Sequence, residues 1–360
     1  MPRIAQRVPQ RQDTGQHGRT PRMPELASDA DIVSIPKVEL HVHLNGSISE
    51  ATASELARRH GEDPAEALGL VDGRYPGPYA DFGGFLKAYM RANSFVRTPD
   101  DLELVAADFA RSQAAQRVAY SEAIFTAMIL VRNGMEPVAM WAAIRRGFAV
   151  VGPETRIALV VDAIRDLGRA EADATIRLVE EADAPIVGLC LTGVDSTEPI
   201  EVFRVLRDAS IRLGLGFEVH AGEMGPPSSM VEAIDVLGAD RIGHGVAAIR
   251  DQGLLERLVL EQVPLDVCPS SNVGIGLYPT LEAHPVATYW RVGANMTISS
   301  DDPPFFATTL TDELRHVVRL AGLTRDDLLE LQRRAVRNSF APAGTKADLF
   351  AALDAWAAGA

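Results

Sequence analysis

Residues 37–43 read Lys37-Val-Glu-Leu-His-Val-His43, a short apolar and β-branched run that closes on two histidines. Seven further runs of this kind follow, at 118–125, 156–164, 185–193, 215–223, 240–246, 263–271 and 295–302. The stretches between them carry helical periodicity, as at 170–181, 199–213, 230–237 and 251–262. Eight such alternations predict an α/β fold, a (β/α)8 TIM-type barrel, in preference to an open doubly wound sheet. Residues 50–117, after the first run, are too long for a simple crossover. Their Tyr79, Phe82, Phe85, Leu86 and Tyr89 suit an inserted helical lid, or packing on the barrel rim. Helical stretches near 309–320, 325–338 and 346–358 add extra C-terminal helices.

The chain has 360 residues, 47% hydrophobic and 23% charged, a composition that fits one soluble enzyme-sized domain over 32–360. Residues 1–31 begin with five arginines among Gln, Pro and Gly and have no apolar core of a signal peptide, so a disordered tail is expected there, with Met23 as an alternative start. The net charge of −14 argues against nucleic acid or an anionic membrane as partner, while leaving room for one small anion in a pocket. No apolar run approaches the ~18 residues of a membrane span. Two cysteines, Cys190 and Cys268, make neither a disulfide framework nor a Cys-x-x-Cys metal site, and a cytoplasmic location is the expectation.

In a barrel the chemistry gathers at the C-terminal strand ends. Four of the eight histidines fall there: His41 and His43 on the first strand, His220 on the fifth and His244 on the sixth, while the eighth ends Ser299-Ser-Asp-Asp-Pro303. His41 and His43 are two apart and share a strand face. With His220 and Asp301 at equivalent heights they offer three nitrogens and one oxygen, a set that zinc accepts with a place left for water and that iron, manganese or cobalt could also use. Glu223, three residues beyond His220, can serve as a proton donor or acceptor, and His244 can orient the attacking water. Gly222, Gly243 and Gly245 beside them suit close approach of backbone to ligand. Only three lysines occur, Lys37, Lys87 and Lys346, none at a middle strand end where it could bridge two ions, so one metal is favoured.

The stretches Pro36-Lys-Val-Glu-Leu-His-Val-His-Leu-Asn-Gly-Ser47, His220-Ala-Gly-Glu223, Arg241-Ile-Gly-His-Gly245, Cys268-Pro-Ser-Ser-Asn272 and Ser300-Asp-Asp-Pro303 resemble, in order and spacing, the motifs of the adenosine deaminase family of the amidohydrolase superfamily. The resemblance runs from about residue 34 to 340. It implies hydrolytic removal of the C6 amino group from an adenine ring, in a barrel with one Zn2+ per subunit held by His41, His43, His220 and Asp301. Glu223 would protonate ring N1, His244 and Asp301 would position and deprotonate the attacking water, Asp302 would hydrogen-bond N7, and the Gly193 backbone would contact N3. Asn45 stands where typical adenosine deaminases carry an aspartate for the ribose 5′-hydroxyl. Its neutral amide would tolerate a 5′-phosphate, as in the branch acting on N6-methyl-AMP. The later motifs read like bacterial adenosine deaminases. The expected substrate is therefore adenosine or 2′-deoxyadenosine. The alternatives are a modified nucleotide or nucleoside (N6-methyl-AMP or an aminofutalosine type) and adenine. More distant readings are an amidohydrolase acting on a cyclic amide or phosphoester, which Glu223 and the missing lysine disfavour, and a non-catalytic protein with a closed structural metal site.

Overall fold

The computed structural model describes residues 25–193 and 198–359. Eight strands run through it: β1 Lys37–His43, β2 Val118–Phe125, β3 Arg156–Ile164, β4 Ile186–Thr192, β5 Gly216–Ala221, β6 Arg241–His244, β7 Leu265–Val267 and β8 Met296–Ile298. Each pairs in parallel with the next, in sequence order. A bridge between Val42 of β1 and Asp301, just past β8, closes the ring. There the His43 N–H donates to the Asp301 carbonyl at 2.8 Å and the Asp301 N–H to the His41 carbonyl at 3.1 Å. Helices between the strands complete the (β/α)8 barrel. Among the described residues no helix is long and apolar enough to cross a membrane.

The first three strands have the bounds expected of them, and the last three are shorter, for local reasons. β6 stops at His244, which with Gly245 takes left-handed φ values of 64° and 67°, outside strand geometry. β7 stops because Pro269 begins the helix Pro269–Gly274 one residue after Cys268. β8 stops before Ser299, and Asp301 then turns left-handed at φ 64° to meet β1. The segment expected as one helix at 230–237 is a short helix, Pro227–Val231, followed by a π turn at Glu232–Val236.

Residues 1–24 of the expected tail, Met23 among them, lie outside the described residues. The helix Asp29–Ser34 begins inside the 1–31 stretch, because Ser28 and Asp31 cap one another reciprocally. Arg315 then ties Asp29 to the barrel at 2.6 Å, so the expected boundary at residue 31 falls inside a helix. The insertion after β1 folds as the helices Glu50–Arg59, Pro64–Leu68, Phe82–Asn93 and Pro99–Ala115. Tyr75 stacks on Phe305 at 4.1 Å and Phe85 lies 5.0 Å from Phe306, so the insertion docks on the segment that follows Asp302.

Where a barrel of this class usually holds layers of branched apolar side chains, this one buries a cation. Arg241, at the start of β6, is fully buried. It donates to Glu122 of β2 at 2.8 Å and to Glu218 of β5 at 2.6 Å, and it pairs with Asp266 of β7. The Phe340 ring covers its guanidinium at 4.1 Å. A Cβ at Gly216 would lie 2.2 Å from that ring, which is why β5 opens on glycine. Removing one partner of such a network strands the others without compensation. Arg241→Ala is therefore expected to lower stability by about 3–5 kcal/mol in chemical denaturation; a loss below about 1 kcal/mol would show that the network carries no strain of that kind.

Candidate active site

The site is organised by Glu218. Burial works to raise its carboxyl, but the Arg241 charge, and then His41, hold it down at about 2. By contrast burial raises Glu122 and pushes Asp266 up to about 6, against the pull of Arg241. Glu218 is thus the settled anion of the three. Its Oε1 accepts from His41 Nδ1 at 2.6 Å. That bond fixes the proton on Nδ1 and turns the Nε2 lone pair toward the strand ends.

His41 Nε2 and His220 Nε2 are both buried with no hydrogen-bond partner, and their rings lie 4.5 Å apart. His43 Nε2 lies 3.3 Å and His41 Nε2 3.6 Å from Asp301 Oδ1. The His43 ring is 5.4 Å from that of His220. The structure therefore brings all four expected ligands to one space. Asp301 is itself held, its Oδ2 accepting from Ser271 Oγ at 2.5 Å. Gly243 makes the cluster possible, since a Cβ there would stand 2.7 Å from His41 Cε1 and 2.9 Å from His220 Cδ2. Positive charge is favoured in this space. Burial opposes it, yet Glu218 and Asp301 lift His41 well above the usual histidine range, and Asp302 with Asp301 lifts His43 to about 9. Burial and the His41 charge push His220 well below that range. Two orphaned imidazole nitrogens beside an anchored carboxylate suit a bound divalent cation.

Glu223 and His244 face the same space, with Glu223 Oε1 3.7 Å from His244 Nε2. Burial first, and the Asp301 charge second, push Glu223 up to about 8. Burial pushes His244 down to about 3. A chain of bonds sets its tautomer: Val286 N–H donates to His284 Nδ1 at 3.2 Å, His284 Nε2 lies 3.1 Å from Asn272 Oδ1, and Asn272 Nδ2 lies 3.4 Å from His244 Nδ1. Followed from the Val286 amide, the chain leaves His244 with Nε2–H toward Glu223. Asp302 is buried, and burial, then the Asp301 charge, raise its carboxyl well above the usual range. A Cβ on Gly46 would lie 1.6 Å from Asp302 Oδ1, so the glycine of Asn45-Gly46-Ser47 makes room for that acid.

His43, His220, Glu223, His244, Asp301 and Asp302 line a cavity of about 800 Å³. Gly193 lines it too, at φ 95°, and the chain just after it, with Asp195, lies outside the described residues. Phe82, Phe85, Leu86 and Tyr89 roof it, as the lid reading expected. Tyr79 instead sits behind them, its ring 5.7 Å from Phe85. Asn45 stands apart. It is buried, its amide oxygen accepts from Thr126 N at 3.0 Å, its amide nitrogen donates to Asn93 at 3.1 Å, and it does not line the cavity. It ties the lid helix to the end of β2, a role that the expectation of a substrate contact did not include. Gly222 lines the cavity, and a Cβ there would also meet Met230 Sδ at 2.5 Å.

A sequence model described as adenosine deaminase matches residues 36–356. The chain belongs to the adenosine deaminase family. An aminodeoxyfutalosine deaminase of Streptomyces avermitilis is 35% identical over 334 residues, covering 91% of this chain and 92% of that protein. An adenine deaminase of Streptomyces coelicolor is 34% identical over 317 residues, covering 86% and 91%. The solved adenine deaminase of Arthrobacter aurescens superposes with a TM-score of 0.81 at 27% identity, covering 90% of this chain and all of that one. The family is one of deaminases, hydrolases acting on C–N bonds.

Glu218, Ser271, Asn272 and His284 were not singled out in the sequence. Glu218 had a visible signal, lying two residues before His220 and so on the same strand face. Glu218→Gln keeps the shape but not the charge that orients His41, and metal affinity is expected to fall about 10- to 100-fold in competition against a chelator. Unchanged affinity would contradict the orienting role.

Proposed function

We propose that this protein is a metal-dependent 6-aminopurine deaminase acting on a nucleoside of the aminodeoxyfutalosine type. The observation that carries the reaction is Glu223: a largely buried carboxyl, pushed up to about 8, facing the same cavity as His43, His220 and Asp301. The donor set of three imidazole nitrogens and one carboxylate oxygen favours Zn2+, one per subunit. When bound, the metal supplies Lewis-acid activation of water near neutral pH.

The residues of the chain do the rest. Glu223 gives its proton to purine N1, which makes C6 electrophilic. His244, which burial pushes down to about 3 and so keeps neutral near pH 7, donates from Nε2 and orients the attacking oxygen. Asp301 takes one proton from the water as C6–O forms, and passes it to the amino group, which leaves as ammonia. The hydroxyl proton on C6 returns to Glu223, leaving a 6-oxo ring protonated at N1. Asp302, protonated by burial, suits a hydrogen bond to N7, which can only accept. The Gly193 backbone would meet N3. The phenylalanine and tyrosine roof excludes water from the ring.

Adenosine was the expected substrate, and two observations favour the alternative. The relatives are named for aminodeoxyfutalosine and adenine, and the cavity of about 800 Å³ is large for a bare purine. With Asn45 bound to the lid and to β2, its tolerance of a 5′-phosphate loses its basis. The 34% identity to an adenine deaminase makes adenine the second reading.

Turnover of aminodeoxyfutalosine, adenine, adenosine, AMP and N6-methyl-AMP side by side is expected to give aminodeoxyfutalosine the highest kcat/KM. A higher value for adenine would move the assignment to the second reading. Glu223→Gln is expected to keep its metal while losing roughly 10²–10⁴-fold in kcat; loss of metal with activity would make Glu223 a ligand and overturn its role as acid.

A further inference from the structure

The cavity extends past the catalytic groups to a mouth built differently from its floor. Leu86, Met90, Leu167 and Met224 line it while remaining about 39–50% exposed. Four large apolar side chains left half open to solvent around one cavity form a patch of the kind that marks a binding surface.

Two arginines stand among them. Arg132 is neutralised by Glu171 at 2.5 Å. Arg165 is not paired: among the described residues no carboxylate bridges it, and its Nε is buried without a hydrogen-bond partner. A buried, unsatisfied guanidinium nitrogen in a cavity wall is costly unless a ligand completes it. In a chain of net charge −14, an anionic substrate also needs a dedicated cation to receive it.

The position of Arg165 tells which part of the substrate it meets. It is the first residue past β3, and its backbone nitrogen would lie 3.2 Å from a Cβ built on Gly193. If the Gly193 backbone meets purine N3, the neighbouring N9 edge and whatever it carries face Arg165. We propose that Arg165 is the specificity residue for the far end of the substrate, pairing with an anion on the arm that the N9 sugar carries while the apolar rim holds that arm. This rests on the reading of the protein as a deaminase of an aminodeoxyfutalosine-type nucleoside and adds to it the residue that selects the arm. A planar guanidinium matches a carboxylate in bidentate geometry, and a phosphate offers the same match, so the two anions must be separated by experiment.

The probes are adenosine, AMP, 5′-deoxy-5′-(3-carboxyphenylthio)adenosine and the primary amide of that acid, assayed by ammonia release with the metal-loaded full chain and with Arg165→Gln. The wild type is expected to favour the acid over its amide by about 10- to 100-fold in kcat/KM, mainly through KM, as charge-assisted bonds allow. In Arg165→Gln that ratio is expected to fall toward one. Arg165→Lys, which keeps the charge without the fork, should restore part of it, an effect that mere damage to the fold would not produce. Equal turnover of acid and amide by a wild type that deaminates adenosine would overturn the Arg165 assignment and leave the deaminase reading standing. AMP outpacing the aryl acid would overturn the apolar arm. Failure of the metal-loaded wild type on every 6-aminopurine would overturn the deaminase reading, and this inference with it.

Discussion

The rest of the structure depends on one carboxylate shared between two cations. Glu218 accepts from Arg241 at 2.6 Å with one oxygen and from His41 at 2.6 Å with the other. Inside a low-dielectric barrel the bond to His41 depends on the bond to Arg241: without the Arg241 charge burial would protonate Glu218, and the carboxylate that receives the His41 proton would be lost. The first bond closes the floor of the barrel, drawing β2, β5, β6 and β7 around one guanidinium. The second chooses the tautomer of His41 and aims its free nitrogen at the site. Folding and ligand geometry are thus set by the same side chain.

Closure of the barrel is tied to the site in a second way. The bridge that joins β8 to β1 is made by Asp301, so the residue that closes the ring also presents its carboxylate between His41 and His43. It does so in a left-handed backbone conformation, as does His244 at the end of β6. Such conformations for residues with a Cβ cost on the order of 1–3 kcal/mol each and persist where surrounding packing over-determines them. Here they stop two strands early and turn their last side chains inward. Ser271 anchors one of these side chains and Asn272 the other, from a single helix that Pro269 starts.

Most of the architecture was legible because alternating strands and helices leave a periodic trace, and the metal-ligand candidates because histidine and aspartate at strand ends are rare by chance. The groups that set those ligands in place were not legible. Glu218 and Arg241 look alike in sequence whether they face solvent or barrel interior, and their pairing spans 23 residues. His284 lies in a loop by any local reading, and only the fold brings it to Asn272. Asn45 is the reverse case. A motif position suggested a substrate contact, whereas the fold spends both ends of its amide on Asn93 and Thr126, which sequence distance conceals. Gly46 and Gly243 yield space to Asp302 and to the paired imidazoles, neighbours that only the fold reveals.

The central claim is that His41, His43, His220 and Asp301 converge on one cation while the buried thiol of Cys268, near His244 and Asp301, takes no part. X-ray absorption fine structure of the zinc-loaded protein tests it most directly. The account predicts a first shell of nitrogen and oxygen at about 2.0–2.2 Å with outer-shell scattering from three imidazoles. A sulfur scatterer at about 2.3 Å, or fewer than three imidazoles, would contradict it.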